Sequence, residues 1–445
     1  MNKIFFKSII VIVLIGTLFV MKGQCLPGGI VIQSQQEIDN FAVNYPGCTI
    51  IEGDMFIDDA NSIINLNGLS QIQQVNGSLR IANTVNLQSL TGLDNLQGIG
   101  GFLTIGGNSE LVNLDGLENL TLIGGLLSIE NNFDLSNISA LHLITSVGGF
   151  ISIKSNNELV SLNGLNNLET IGGFFRLENN GALIDISDLE SLISVEGNFS
   201  LRDLPMLENL HGLENLTSTG GLTLAQNYAL TSLEGLNSLS LINGGFNIAF
   251  NIFLADFSSL SNLTSIDGNL FINNTKAQTL DGFDSLNSIN GILSISANEL
   301  ITNIEGIKNI DATTLSDLWI QNNPLLSECA VKSVCDFLDI NSANSNIVVN
   351  ASGCATQQEV EDACLLGLEE NQLTEVKIYP NPINSMIFIE GISEGTIEIK
   401  DASGRTINSM NFVGEAIDLS GIAEGLYFLT ISSEGQSITK RILKQ

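Results

Sequence analysis

Positive charge is scarce in this 445-residue sequence, where 16 Lys and Arg stand against 48 Asp and Glu, a formal net charge of −32. Between Cys25 and Glu375 the imbalance steepens to 40 acids against 7 bases. A surface of that sign repels phosphate backbones and anionic headgroups, which excludes nucleic acid as a partner of this region. Histidine is nearly absent too. His142 and His211 stand in different repeats with no cysteine near either, so neither a zinc site nor a Ser-His-Asp arrangement can be assembled. After the first two dozen residues no long apolar run remains, so no transmembrane segment is expected in the mature chain. The centre of the chain lacks cysteine altogether. All six lie toward its ends: Cys25 and Cys48 early, Cys329, Cys335, Cys354 and Cys364 late.

Residues 1–24 carry Lys3 and Lys7, an apolar run from Ser8 to Val20, and a polar exit from Met21 to Gln24. That order reads as a secretory signal peptide, because the run is too short to span a bilayer comfortably. Cys25 raises the question of a lipoprotein, but Lys22 stands where lipoprotein signals carry an aliphatic residue. An even cysteine count in an exported chain, confined to its two ends, points to disulfide-stapled caps that seal the exposed faces of a repeat array. Cys25 is expected to pair with Cys48. Three pairings are open for the last four, with Cys329–Cys354 and Cys335–Cys364 preferred.

What is abundant is a repeat. Leu69, Leu93, Leu117, Leu141, Leu165, Leu189, Leu213, Leu236, Leu260, Phe283 and Ile307 recur at intervals of 24 residues, twice shortened to 23. One such unit cannot bury its apolar positions alone, so the units must stack. Residues 25–368 are thus expected to form an all-β dominated solenoid of about 12 coils.

Within each coil, alternation as in Leu103-Thr104-Ile105 marks a short strand with one inward face, and successive coils would pair these strands in parallel roughly 4.8 Å apart. Leu103, Ile105, Leu127, Ile129, Ile151, Ile153, Phe175 and Leu177 are the expected core. Three residues on stands an asparagine column, Asn108, Asn132, Asn156, Asn180, Asn227, Asn251, Asn298 and Asn323, interrupted by Thr84, Leu204 and Thr275. Its amides can close turns or bond one another from coil to coil, a structural role. The pairs Gly100-Gly101, Gly124-Gly125, Gly148-Gly149 and Gly172-Gly173 suggest a corner needing positive φ.

The run Leu-x-Gly-Leu-x-x-Leu-x-x-Ile-x-Gly-x-Leu-x-Ile-x-x-Asn, with the segment from Tyr45 to Ile57, resembles the receptor L-domain family. Such domains form the ligand-binding lobes of insulin- and epidermal-growth-factor-type receptors and occur in bacterial surface proteins. The resemblance implies that an early cysteine pairs with the one in the Cys-x-x-Ile-x-Gly segment, in agreement with Cys25–Cys48. The pattern is close to that of leucine-rich repeats, and the segment from Asn323 to Cys329 resembles their C-terminal caps. A strand one residue longer implies a right-handed β-helix-like solenoid more than an α/β horseshoe.

The repeat stops after Cys364, an acidic linker follows at 369–375, and residues 376–445 read as a small β-sandwich with alternating runs at Met386 to Ile389, Thr396 to Ile399 and Gly425 to Ile431. Four motifs in this segment resemble the type IX secretion C-terminal sorting domain of the Bacteroidetes: Tyr379, Pro380, Asn381 and Pro382; the turn from Lys400 to Arg405; the stretch from Asp418 through Gly425 and Tyr427 to Phe428; and a basic tail with Lys440 and Arg441. The resemblance implies engagement with the type IX machinery, transport across the outer membrane, removal of the domain, and anchoring at the cell surface or release.

For binding, the best column is Phe102, Leu126, Phe150 and Phe174, one place ahead of the inner pair on four consecutive coils. Strict alternation puts it outward as an apolar strip, and a turned corner would fold it into the core. A second outward column, Thr104, Ser128, Ser152, Ser200 and Thr223, broken by Arg80 and Arg176, reads as solvated sheet face. Paired acids such as Asp58 with Asp59 or Asp185 with Asp188 leave a polysaccharide-active enzyme as the alternative. No calcium-loop spacing, metal site or cofactor is implied. The expectation is a non-enzymatic exported binding or adhesion protein with an unidentified protein or glycan ligand.

Overall fold

The computed structural model describes residues 23–59, 62–370, 377–390, 394–401, 404–414, 416–433 and 436–445. Nearly all of the expected signal peptide and most of the expected linker lie outside the described residues. The chain divides into two compact units, one comprising the residues up to 277 together with 281–294, the other residues 278–280 and 295–445.

In the first unit each coil contributes two parallel strands on either side of a corner, as in Gly98–Ile99 with Leu103–Gly106 and Leu122–Ile123 with Leu127–Glu130. A 24-residue beat sets like against like: Leu103 pairs with Leu127, Leu127 with Ile151, and Ile151 with Phe175. The inner residues of these strands are buried, and so are Leu111, Leu114, Leu117 and Leu120 on the returning side. Each contributes roughly 1.5–3 kcal/mol by burial, available only when a neighbouring coil covers it. At Ser194–Arg202 and Ser218–Ala225 the two strands of a coil merge into one.

The glycine pairs do something other than expected. Gly100, Gly124, Gly148 and Gly172 have no positive φ, and a Cβ on each would overlap a backbone carbonyl of the coil before it: Asn76, Gly100, Gly124 and Gly148 respectively. They are required for close approach of coil to coil. Positive φ sits elsewhere. One set is the glycine of the Gly-Leu step, with φ of 114°, 113° and 114° at Gly92, Gly116 and Gly164. In other coils the same place, held by Gly68, Ala140, Asp188, Ser259 or Gly306, lies in a 3-10 turn instead: Asn67–Leu69, Ser139–Leu141, Ser187–Leu189, Ser258–Leu260 and Glu305–Ile307. The other set immediately precedes the asparagine column, and small or amide side chains such as Asn83, Asn131, Ser155 and Asn179 adopt it.

The column itself is fully buried and bonds between coils. Asn132 accepts the Asn108 N–H on Oδ1 at 3.1 Å and donates from Nδ2 to Ile105 O at 3.0 Å. Asn156 repeats this with Asn132 and Ile129, at 3.1 and 2.9 Å. Even the interruptions are served, since the backbone N–H groups of Thr84 and Leu204 donate to Asn108 and Asn227.

The N-terminal cap is tied by Cys25–Cys48, with Cα atoms 5.6 Å apart, which leaves Cys25 no thiol for lipid attachment. Its pairing starts two residues ahead of the expected boundary. Gly23 O accepts the N–H groups of Thr49 and Ile50, and Gln24–Cys25 runs parallel to Ile50–Ile51. A short helix, Gln35–Asp39, is started by a reciprocal cap in which Glu37 N–H donates to Ser34 Oγ and Gln33 N–H to Glu37 Oε2. It sets Ile38, with Phe41 just beyond, into the core.

In the second unit Asp317–Gln321 pairs in parallel with Ser345–Val348. Asn350 adds a rung to the column, its Oδ1 accepting the Asn323 N–H at 3.1 Å. Two helices, Lys332–Asn341 and Gln357–Glu370, close this end. The bridges are Cys329–Cys354 and Cys335–Cys364, with Cα atoms 5.8 and 5.5 Å apart. No helix among the described residues is long and apolar enough to cross a membrane.

The C-terminal segment forms two antiparallel sheets. One orders Lys377–Tyr379, Met386–Glu390 and Ala416–Asp418; the other orders Thr406–Val413, Glu394–Asp401, Gly425–Ser433 and Gln436–Lys444. Ile387, Ile389, Ile397, Ile399, Leu429 and Ile431 fill the space between them.

Candidate functional site

The four residues of the expected strip are neither fully exposed nor part of the core. Phe102, Leu126, Phe150 and Phe174 are half-buried beside the glycine corner. Phe150 and Phe174 stack with ring centroids 4.2 Å apart, and the Arg176 guanidinium lies 5.0 Å over the Phe174 ring. Phe56, unremarked in the sequence, stacks on Phe102 at 6.3 Å.

The small polar column beside the strip departs from a solvated face. Ser128, Ser152 and Ser200 are buried, Ser152 to 1 % exposure. Longer neighbours shade them: Ser152 donates to Glu130 Oε1 at 2.6 Å and Ser200 to Glu178 Oε1 at 3.1 Å.

A second apolar surface was not foreseen. Met206, Tyr228, Phe250, Ile252 and Phe253 are each between 40 and 54 % exposed, on three consecutive coils at the corner that follows the strand. The asparagine ladder stitches these coils together, because Leu204 N–H donates to Asn227 and Asn227 N–H to Asn251. Phe250 occupies the positive-φ position, at 57°, where other coils place Asn83, Gly107, Asn131 or Ser155. A bulky side chain in that conformation is an outlier that persists only when the surroundings enforce it, and such outliers cluster at functional sites. Aligning the repeats on the column shows Phe250 as a bulky residue at this place, with Val349 ahead of Asn350 as a second.

Of the paired acids, Asp58, Asp185 and Asp188 make contacts within the fold. Asp58 lies 3.2 Å from Arg80 and accepts from Asn83 Nδ2. Asp185 caps the Ser187 N–H, and Asp188 accepts from Asn166. His142 Nδ1 lies 3.2 Å from Ser139 O. His211 stands between two carboxylates, Nδ1 at 3.0 Å from Glu214 and Nε2 at 3.7 Å from Glu234 of the next coil. Partial burial would raise the Glu214 carboxyl, but the His211 hydrogen bond and the N–H groups of Glu214 and Gly212 outweigh it and hold it below the usual range. Among the described residues no three His, Cys, Asp or Glu side chains are grouped to hold a metal ion.

The sorting motifs converge on the last strand. Asn381 Nδ2 donates to Arg441 O at 3.0 Å, and Leu443 N–H donates to Asn381 Oδ1 at 2.9 Å. The Tyr379 ring stacks on Phe388, with Pro380 and Pro382 flanking Asn381 in the chain. Gly425 opens the strand paired with Lys444, and the nearly buried Tyr427 donates its hydroxyl to Ala423 O at 3.0 Å. Asp401 holds the turn by accepting from the backbone and side chain of Arg405. Lys440 is half-buried and Arg441 exposed on the outermost strand.

Two family models match the sequence: the receptor L domain over residues 47–112 and the secretion system C-terminal sorting domain over residues 377–445. No curated protein matches it. The coils beyond residue 112 continue the pairing register of the matched ones. The chain thus carries a receptor L domain and a type IX secretion C-terminal sorting domain, and the latter marks it as a protein exported across the outer membrane to the cell surface or the extracellular space.

Proposed function

We propose that this is a surface or secreted adhesion protein whose solenoid recognises a protein or glycan partner without turning it over. The observation that carries this reading is the corner patch of Met206, Tyr228, Phe250, Ile252 and Phe253. Large apolar side chains grouped on three consecutive coils of an acidic solenoid are the kind of feature that marks interaction sites. The half-buried strip from Phe102 to Phe174 is a second contact surface under the same reading. The leader within residues 1–24 initiates export, and the sorting domain completes it.

The alternative, a polysaccharide-active enzyme, needs a carboxylic acid held protonated near neutral pH. Among the described residues, the carboxyls whose acidity departs from the ordinary are shifted the other way. Besides Glu214 they are Asp311, hydrogen-bonded by Thr313; Glu398, hydrogen-bonded by Thr406; and Asp418, hydrogen-bonded by the Ser420 N–H, and all are lowered. A glycan array probed with the secreted protein, followed by an assay for sugar release from every hit, tests the proposal. Bound and uncut glycans are expected, and released sugar would refute it.

A further inference from the structure

The sandwich leaves two sheet edges facing a common cleft. Lys377–Tyr379 is an outer strand of the three-stranded sheet and Gln436–Lys444 an outer strand of the four-stranded one. The cleft between them, about 460 Å³, is lined by Lys377, Ile378, Tyr379, Asn381, Lys440, Arg441 and Ile442. At its lower end the edges are tied together, since Ile383 N–H donates to Leu443 O, Gln445 N–H to Ile383 O, and the Asn381 side chain occupies Arg441 O and Leu443 N–H. Above that tie, neither edge has a strand partner on its outer side among the described residues.

Charge in this cleft runs against the rest of the chain. Its lining holds three cations and no acid, in a protein whose net charge is −32. None of Lys377, Lys440 and Arg441 forms an ion pair with a described carboxylate, although Glu390 stands opposite Lys377 in the ladder. Elsewhere in the sandwich Lys400 pairs with Glu398 and Arg405 with Asp401, while Lys444 Nζ donates to the Gln445 carbonyl. An open backbone edge offers hydrogen bonds to an added strand. Unpaired cations beside that edge select for carboxylates on the incoming strand.

We infer that the cleft between Lys377–Tyr379 and Gln436–Lys444 receives an extended acidic segment of a partner protein, which adds as a strand to the sheet edge while its carboxylates meet Lys377, Lys440 and Arg441. The inference rests on the segment's role as a sorting domain and names the chemistry by which it is read. A free backbone edge favours a peptide over a phosphate or an anionic lipid, neither of which can extend a ladder. The apolar floor, Ile442 with the Tyr379 ring at the rim, suits the alternate side chains of such a strand.

The test uses the full chain and three probes: an alternating Glu–Val peptide, the same peptide N-methylated at every residue so that it keeps the charge but has no backbone N–H to donate, and phosphatidylglycerol vesicles. The Glu–Val peptide should bind, and the Lys440→Glu/Arg441→Glu variant should bind it about ten-fold more weakly or worse, as expected for losing charge-assisted contacts. Equal binding of the N-methylated peptide, preference for vesicles, or unchanged binding by the variant would overturn the inference. An export assay separates it from the sorting role. If removal of residues 377–445 does not stop export, the sorting role fails. If removal stops export while the folded charge-reversed protein, checked by circular dichroism, is exported at the wild-type level, the sorting role stands and the inference falls.

Discussion

Asn132 bonds the coil before its own and not its own turn: its Nδ2 reaches Ile105 O, 27 residues back, at 3.0 Å. Together with the Asn108 N–H bond to its Oδ1, this makes each amide a rivet between layers. Replacing Asn132 with Ala would strand a buried N–H and a buried carbonyl, at a cost of about 2–4 kcal/mol. Denaturant unfolding of the purified protein measures it, and a loss under 1 kcal/mol would mean that water takes over the amide's role.

Two neighbouring glycines should respond in opposite ways. Gly124→Ala forces a Cβ into the carbonyl of Gly100 and should destabilise by about 1–3 kcal/mol. Gly98→Ala places its Cβ at 3.7 Å from Leu122, ordinary contact, and should stay within about 1 kcal/mol of the parent. Matched thermal melts of the two variants decide whether coil spacing is the constraint.

Phe250→Asn should leave stability unchanged or raise it by about 1 kcal/mol, because Asn adopts positive φ with less strain and the exposed ring has little burial to lose. The same change should weaken binding to the strongest array ligand. Lower stability with intact binding would assign Phe250 to packing and remove the patch from the site.

Acid titration offers a check on the His211 contact. The Glu214 carboxyl is held below its ordinary value of 4.5, so the stabilisation it brings is complete above that pH and fades as pH falls through the lower folded value. In His211→Gln the carboxyl should titrate closer to 4.5, followed by NMR of the side-chain carbon. An unmoved titration would credit the Gly212 and Glu214 N–H groups alone.

The periodicity carried much of this fold. A fixed beat determines register, so pairings such as Leu103 with Leu127, and the buried columns they belong to, were readable before any coordinates. The asparagine column was equally legible up to Asn323. Asn350, 27 residues on, falls off the beat and escaped notice. Two-residue strands such as Gly98–Ile99 are too short to show alternation, which hid the second ladder. Glycine means either a special φ or a need for space, and the letters alone do not separate the two; Gly124 belongs to the second. The corner patch stayed hidden because alternation along a strand says nothing of the turn beyond it. Basic residues at opposite ends of the sandwich sequence, Lys377 and Arg441, meet only when both sheets are built.

The three bridges close loops of 23, 25 and 29 residues, each close to a single coil. None joins one terminus of the array to the other. Oxidation can therefore seal each extremity on its own schedule outside the cell, and a reducing agent would expose the two extremities to fraying while the cysteine-free interior keeps its hydrogen-bonded layers.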